Sequence, residues 1–169
     1  NRRKKLLDIT DEDYDVIVGT NLRAVYAGCQ AAVRAMIPAH GGAREVSGKV
    51  ITVGSLASVQ GVAPGMTAYA ASKGGLVNLT RELAAQWARR GVRVNCLAPG
   101  WFRSEMTDGR MFGDERSETW LRRNTPMGRG GEEHELDGAL LFLASDASTF
   151  VTGQVLGVDG GFLASGVNQ

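Results

Sequence analysis

A chain of 169 residues that is 43% hydrophobic and 22% charged has the composition of an ordinary soluble globular domain with room for one sizeable core, which excludes global disorder. With 19 basic against 18 acidic residues and a net charge of +1, composition makes no electrostatic case for nucleic acid or an anionic membrane as partner. The cysteines, Cys29 and Cys96, are too few for a disulfide framework; no stretch approaches a membrane span, and the charged opening lacks the apolar core of a signal peptide, so the cytoplasm is the default compartment.

The opening run Arg2-Arg3-Lys4-Lys5 reads as a solvated chain end, with a substrate or polyanion contact as the sharper alternative. From Asp11 to Ala39 the apolar residues Val16, Ile17, Leu22, Val25, Cys29, Val33 and Met36 recur at helical spacing behind a Thr10 cap, which predicts one long helix. His40 to Gly48 is a linker, and Lys49 to Gly54 reads as a buried strand ending in glycine. A loop carrying Gly61, Pro64 and Gly65 leads to a second long helix, Thr67 to Arg90, stopped by Gly91. Val92 to Leu97 is the next strand, ended by Pro99-Gly100. Trp101 to Gly131 has no clean period and is expected to be loop with short helices. A helix over Glu132 to Ala144, a strand over Gln154 to Val158 and the turn Asp159-Gly160-Gly161 complete the chain. Strands alternating with long helices predict an α/β fold, a doubly wound parallel sheet with helices on both faces and no internal domain boundary.

Such a fold normally opens with a strand, a glycine-rich turn and a helix whose amino end holds a pyrophosphate, and none of that is present. Gly128-Arg129-Gly130-Gly131 follows an irregular segment and is discounted as a phosphate cradle. The start at Asn1 without methionine leads us to expect an incomplete chain, the carboxy-terminal part of such a domain.

Tyr69 and Lys73 lie four residues apart at the start of the second long helix, which puts phenol and ammonium on one face. A positive charge near a phenol favours phenolate, as a tyrosine acid/base requires. Taken alone this spacing is weak evidence. Ser55 ends the preceding strand, where parallel sheets place ligand-binding groups, and can donate to a carbonyl oxygen; its bland alternative is a turn cap. Asn21 interrupts the apolar face of the first helix, so it is either a structural bridge or part of a polar relay.

Together, Asn21, Gly54-Ser55, Tyr69-x-x-x-Lys73, Asn95 with Pro99-Gly100, and Val158-Asp159-Gly160-Gly161 resemble the short-chain dehydrogenase/reductase pattern, in order and along nearly the whole chain. Pro99-Gly100-Trp101-Phe102, Thr125 to Arg129 and Phe142 to Ser148 are similar to sugar-acid members such as gluconate 5-dehydrogenases, and also to 3-oxoacyl acyl-carrier-protein reductases. The resemblance implies an oxidoreductase that interconverts a secondary alcohol and a ketone, with a sugar acid or related polyol as substrate or, as the alternative, 3-oxoacyl carrier-protein reductase activity. In it Tyr69 would move the proton at the substrate oxygen, Ser55 would hold that oxygen, Lys73 would bind the nicotinamide ribose and tune Tyr69, and Asn21 would anchor a water in a proton relay. Pro99, Gly100, Phe102 and Ser104 would line the cofactor, which Asn21 and Tyr69 would also touch, and Trp101 would line the substrate.

Two departures from the pattern bear on these roles. Ser104 stands where the family commonly has threonine, and Ser55 precedes Tyr69 by 14 residues, one more than the commoner gap, which makes Ser58 an alternative. Trp101, Met106, Trp120 and Met127 fall in the span that forms a lid in relatives. The residue that separates NAD from NADP would lie upstream, so the cofactor reads as NAD or NADP. His40 and His134 are isolated and no metal is expected. Relatives assemble through helices equivalent to Asp11–Ala39 and Thr67–Arg90, which predicts a homo-oligomer, a dimer or homotetramer, with Ala84, Ala85 and Ala88 allowing close helix approach or else filling the core. The rival of another class is a catalytically silent fragment or assembly module.

Overall fold

The helical segment that follows Thr10 is present in the computed structural model, which describes residues 3–37, 48–62, 65–105, 107–109 and 111–165. It starts as α1, Asp11–Val18, passes through a π turn over Gly19–Arg23 and continues as α2, Ala24–Met36. Thr10 and Asp13 hold its start reciprocally. The Thr10 hydroxyl accepts from the Asp13 N–H at 3.2 Å, and the Asp13 carboxylate accepts from the Thr10 N–H at 3.2 Å and from its hydroxyl at 2.9 Å, so two orphan amides of the first turn are satisfied. The expected end at Ala39 and nearly all of the linker lie outside the described residues, as do Pro64 and Met106.

Three strands, β1 (Gly48–Val53), β2 (Val92–Pro99) and β3 (Val155–Val158), form one parallel sheet in the order β1-β2-β3. The register runs from Gly48 opposite Val92 to Val53 opposite Leu97, and from Cys96 opposite Val155 to Pro99 opposite Val158. Parallel neighbours need a crossover. Helix α3, Thr67–Trp87, supplies the first, and α4, Glu115–Asn124, with α5, Asp137–Ala144, the second. Helix α3 ends through a 3-10 turn at Gly91, whose φ of 75° is the left-handed cap that glycine supplies without strain. The helix expected over Glu132 to Ala144 begins as a 3-10 turn, Glu133–Leu136, and becomes α5 only at Asp137.

Strand alternation separates the two faces of β2. On one side Val92 and Val94 pack with Val33 of α2 and Ala84 of α3, surrounded by Val50, Leu83 and Trp87. Ala84 is thus a core residue, while Ala85 and Ala88 are exposed. Thr52 and Thr80, both buried, meet at the same interface through a 2.8 Å hydroxyl contact. On the other side Arg93 donates to the carbonyls of Leu143 and Ser145 at the end of α5 and to Val151, where a cation satisfies the last carbonyls of a helix. The buried Asn95 donates to the Val151 carbonyl at 3.0 Å and accepts from the Gln154 N–H at 3.1 Å, fastening the entry to β3. The result is a parallel α/β sheet of the Rossmann type with helices on both faces. No helix among the described residues is long and apolar enough to cross a membrane.

Candidate active site

Strand β1 delivers Ser55 to the carboxyl end of the sheet. Just before it, the Gly54 N–H donates to the Leu97 carbonyl at 2.7 Å, keeping the chain on β2 for one residue beyond the strand. The Ser55 hydroxyl accepts from the Ala57 N–H at 3.2 Å, and the Ser58 hydroxyl accepts from the Ser55 N–H at 3.0 Å. One lone pair of Ser55 is therefore fixed while its proton stays available to a ligand. Ser58 is spent on the turn Leu56–Ser58 and does not line the pocket described below.

Tyr69 and Lys73 follow on successive turns at the amino end of α3. The Lys73 ammonium donates to the Val53 carbonyl at 2.7 Å and lies 5.9 Å from the centre of the Tyr69 ring. Burial lowers the Lys73 pKa below its ordinary value, because desolvation penalises the charged form. The ammonium has three donors, and Val53 takes one.

Behind this pair, the buried Ser72 donates to the Tyr69 carbonyl at 2.7 Å and accepts from the Asn21 side-chain amide at 3.3 Å. Asn21 sits in the π turn, the kind of helix irregularity that often marks functional positions. It reaches α3 from the rear and does not line the pocket, so the structure does not bring it against the cavity that a cofactor contact would need.

That pocket has a volume of about 280 Å³ and gathers Ser55, Tyr69, Lys73, Pro99, Gly100, Trp101, Phe102 and Ser104. It opens at the carboxyl ends of β1 and β2, where open α/β sheets hold ligands. The turn Asp159-Gly160-Gly161 supports its floor: the Gly100 N–H donates to the Val158 carbonyl at 2.8 Å, and the Asp159 carboxylate accepts from the N–H groups of Gly161 and Leu163, each at 2.9 Å.

The wall after β2 is built differently. Trp101 packs edge-on against Trp120, ring centres 5.7 Å apart, and against Phe162 at 6.2 Å. Its indole N–H finds no hydrogen-bond partner among the described residues. Trp101 and Phe102 also border a neighbouring cavity of about 310 Å³ that includes Thr125, Met127 and Arg129. Gly131 lies against the ring of Phe102, where a Cβ would collide with it, and Arg129 makes a two-pronged ion pair with Glu135 at 2.7 and 2.8 Å. The glycine-rich run thus serves ring packing and the entry to α5.

Thr107 shapes the exposed Ser104 turn by accepting from the Ser104 N–H at 2.9 Å and donating to the Phe102 carbonyl at 2.5 Å. Sequence reasoning missed Thr107 and the apolar Val62, Met66 and Met111, all of which line the pocket. No local pattern marks them. Arg3 lines it as well, the contact held open as the alternative to a solvated chain end.

The chain resembles known proteins along nearly its whole length. The family model described as Enoyl-(Acyl carrier protein) reductase matches residues 1–163. The chain is 43% identical over 164 residues to a gluconate 5-dehydrogenase of Gluconobacter oxydans, covering 97% of this chain and 61% of that protein. It is 38% identical over 156 residues to a 3-oxoacyl-(acyl-carrier-protein) reductase of Chlamydia trachomatis, covering 92% and 59%. The crystal structure of a gluconate 5-dehydrogenase from Burkholderia cenocepacia in complex with NADP and tartrate matches with a TM-score of 0.88 at 39% identity, over 97% of this chain and 61% of that one. The chain spans about three fifths of the length of these curated relatives.

Proposed function

The chain belongs to the short-chain dehydrogenase/reductase family, and from that premise we propose that the intact protein interconverts a secondary alcohol and a ketone with NAD or NADP, its substrate a sugar acid or related polyol. The observation that carries this reading is the meeting of Ser55, Tyr69 and Lys73 in one cavity at the carboxyl ends of β1 and β2. A gluconate 5-dehydrogenase of the same family, solved with NADP and tartrate, supports both the cofactor and the polar substrate class.

A nicotinamide held in this cavity would supply the hydride for reduction at the carbonyl carbon and would accept it from the carbinol carbon in oxidation. Tyr69 gives the matching proton to the substrate oxygen in reduction and removes it in oxidation, as a positioned general acid/base. Ser55, its lone pair engaged by Ala57, donates to that oxygen and holds it beside Tyr69. Lys73 keeps two donors for ribose hydroxyls, and its charge stands one helical turn from the phenol. Pro99, Gly100, Phe102 and Ser104 form the wall for the nicotinamide. Asn21 anchors a water behind α3 through which the proton is exchanged with solvent.

The apolar lining of Val62, Met66 and Met111 and the Chlamydia relative favour a second reading, reduction of a 3-oxoacyl thioester. The exposed Tyr14, Val16 and Tyr26 on the first helical run support assembly of α1, α2 and α3 against a second copy in a dimer or tetramer, a reading that a stable monomer in light scattering would reject.

Assaying the intact protein with NADH and NADPH against a panel of ketones tests the proposal. Turnover with wild type and its near loss in Tyr69→Phe is the expected result. Unchanged turnover in Tyr69→Phe would remove Tyr69 from the chemistry, and no turnover with any ketone would favour the silent module.

A further inference from the structure

We propose that Trp101 sets the length of substrate that the reaction pocket admits: its indole closes the pocket off from the neighbouring cavity and restricts turnover to ketones with short chains. The inference rests on the alcohol–ketone reading above and names the size class of the substrate at the same site. Its starting point is a pair of cavities with a common wall. The reaction pocket, about 280 Å³, and the cavity beside the turn after β3, about 310 Å³, share Trp101 and Phe102 and no other described residue. The first volume lies at the foot of the range that encloses drug-sized ligands, and a nicotinamide ring would share it, so little length is left for a substrate chain. Opened into its neighbour, the pocket would have roughly twice the room. The same partition bears on the second reading, since it leaves a 3-oxoacyl thioester as substrate only where the acyl chain is short.

Trp101 is built as a rigid partition. Its backbone is pinned on both sides: the Gly100 N–H donates to the Val158 carbonyl and the Gly131 N–H to the Trp101 carbonyl, each at 2.8 Å. Gly130 allows this approach, because a Cβ there would lie 3.0 Å from the Trp101 carbonyl oxygen and would collide with the Phe112 ring. The indole stands edge-on to Trp120 and Phe162, whose own ring centres are 6.2 Å apart, so three rings distant in sequence cage one another. The indole N–H is buried and has no hydrogen-bond partner among the described residues. An unpaired buried donor is unfavourable, and its retention is accounted for when the ring is kept for its bulk and position.

The test uses two ketones that differ in chain length alone, ethyl 3-oxobutanoate and ethyl 3-oxodecanoate, with 5-keto-D-gluconate as the polar short ketone. In the intact protein wild type should reduce short ketones and discriminate against the long ester. Trp101→Ala should raise kcat/KM for the long ester about 10- to 100-fold, the range that hydrophobic pocket size controls, and lower it for the short ketones. Trp101→Leu, which keeps an apolar side chain beside Trp120, should shift the two in the same sense by less. Gly157 lines the second cavity and not the first, and a Cβ there meets nothing closer than Leu163 at 3.7 Å. Gly157→Leu should therefore leave the short ketones near wild type, and in the Trp101→Ala background it should remove the gain with the long ester. Equal turnover of the two esters by wild type, a loss in Trp101→Ala that falls on both lengths alike, or a gain that survives Gly157→Leu would each overturn the proposal. If neither wild type nor any variant reduces a ketone, the alcohol–ketone reading fails, and the partition is then read from calorimetric binding of the two esters. Wild type should bind the short ester in preference and Trp101→Ala should lose that preference; the same preference in both forms would overturn the partition as well.

Discussion

The two walls of the pocket, the segment that follows β1 and the segment that follows β2, are held by different forces. After β1, short polar links fix Ser55, Lys73 and the backbone of Tyr69. Ser55 and Ser58 lock one another across a single turn, Lys73 reaches back to the Val53 carbonyl, and Ser72 binds the Tyr69 carbonyl. After β2, the Trp101, Trp120 and Phe162 rings, glycines pressed against aromatic faces, and an exposed ion pair do the holding. The first arrangement places donors to within a bond length; the second encloses a volume. On the function proposed above, chemistry would belong to the first wall and substrate shape to the second.

Substitutions on the first wall should sharpen that contrast most. Tyr69→Phe should lower kcat of the intact protein about 100- to 10,000-fold, the usual contribution of a positioned acid/base, while leaving the thermal midpoint nearly unchanged. Ser55→Ala should cost about 100- to 1,000-fold, the scale of one oxyanion donor. Ser58→Ala should leave kcat within a few-fold of wild type, on the order of one neutral hydrogen bond lost from the turn. If Ser58→Ala impaired turnover as much as Ser55→Ala, the assignment of Ser55 as the oxygen holder would be reversed.

The same contrast explains what could be read from the chain without coordinates. Tyr69 and Lys73 were legible because a helical repeat places residues four apart on one face, and Ser55 because ligands gather at the carboxyl ends of parallel strands. The π turn that carries Asn21 was not, since the five-residue step from Ile17 to Leu22 that accompanies it is too slight a shift in the apolar spacing to be told from ordinary helical scatter. Ala84 was assigned to the surface or the core with equal right, because helix α3 meets β2 on one side and α1 on another, and small residues suit either contact. Arg3 is exposed and also borders the pocket; local pattern could not separate a solvated chain end from a pocket contact, because its place depends on a long-range event, the capture of Lys4 by the buried Asp13. The strands were recovered to within two residues at each end. The wall after β2 stayed illegible in detail, because ring packing depends on partners far apart in sequence, Trp101 and Phe162 among them.

A substitution on the second wall provides the intermediate effect. Gly131→Ala places a methyl group into the ring of Phe102, and overpacking of this kind costs about 1–3 kcal/mol of stability. The expected signature in the intact protein is a lowered thermal midpoint together with a raised KM, because Phe102 lines the pocket, with kcat less affected than in Ser55→Ala. A fall in kcat as deep as that of Ser55→Ala, with KM unchanged, would break the division between a chemical wall and a shaping wall.

The smallest effect belongs to the ion pair at the foot of the second wall. The hydrogen bond from Arg129, helped by the Glu132 N–H, lowers the Glu135 carboxyl from its ordinary 4.5 to about 2. A carboxyl whose folded pKa lies below its unfolded one stabilises the fold above the unfolded value and loses that contribution as pH falls toward the folded value. The stabilisation by Glu135 is therefore complete above pH 4.5 and disappears between 4.5 and about 2. The group is solvent-exposed, so screening keeps the effect small. Carboxyl NMR of the intact protein should place the Glu135 midpoint well below that of the other exposed glutamates, and Arg129→Gln should return it toward the ordinary range. The stability difference between wild type and Glu135→Gln should be level above pH 4.5 and shrink below it. A difference independent of pH across that window would mean that Glu135 acts through packing rather than charge, which would make the second wall less dependent on its ion pair than its geometry implies.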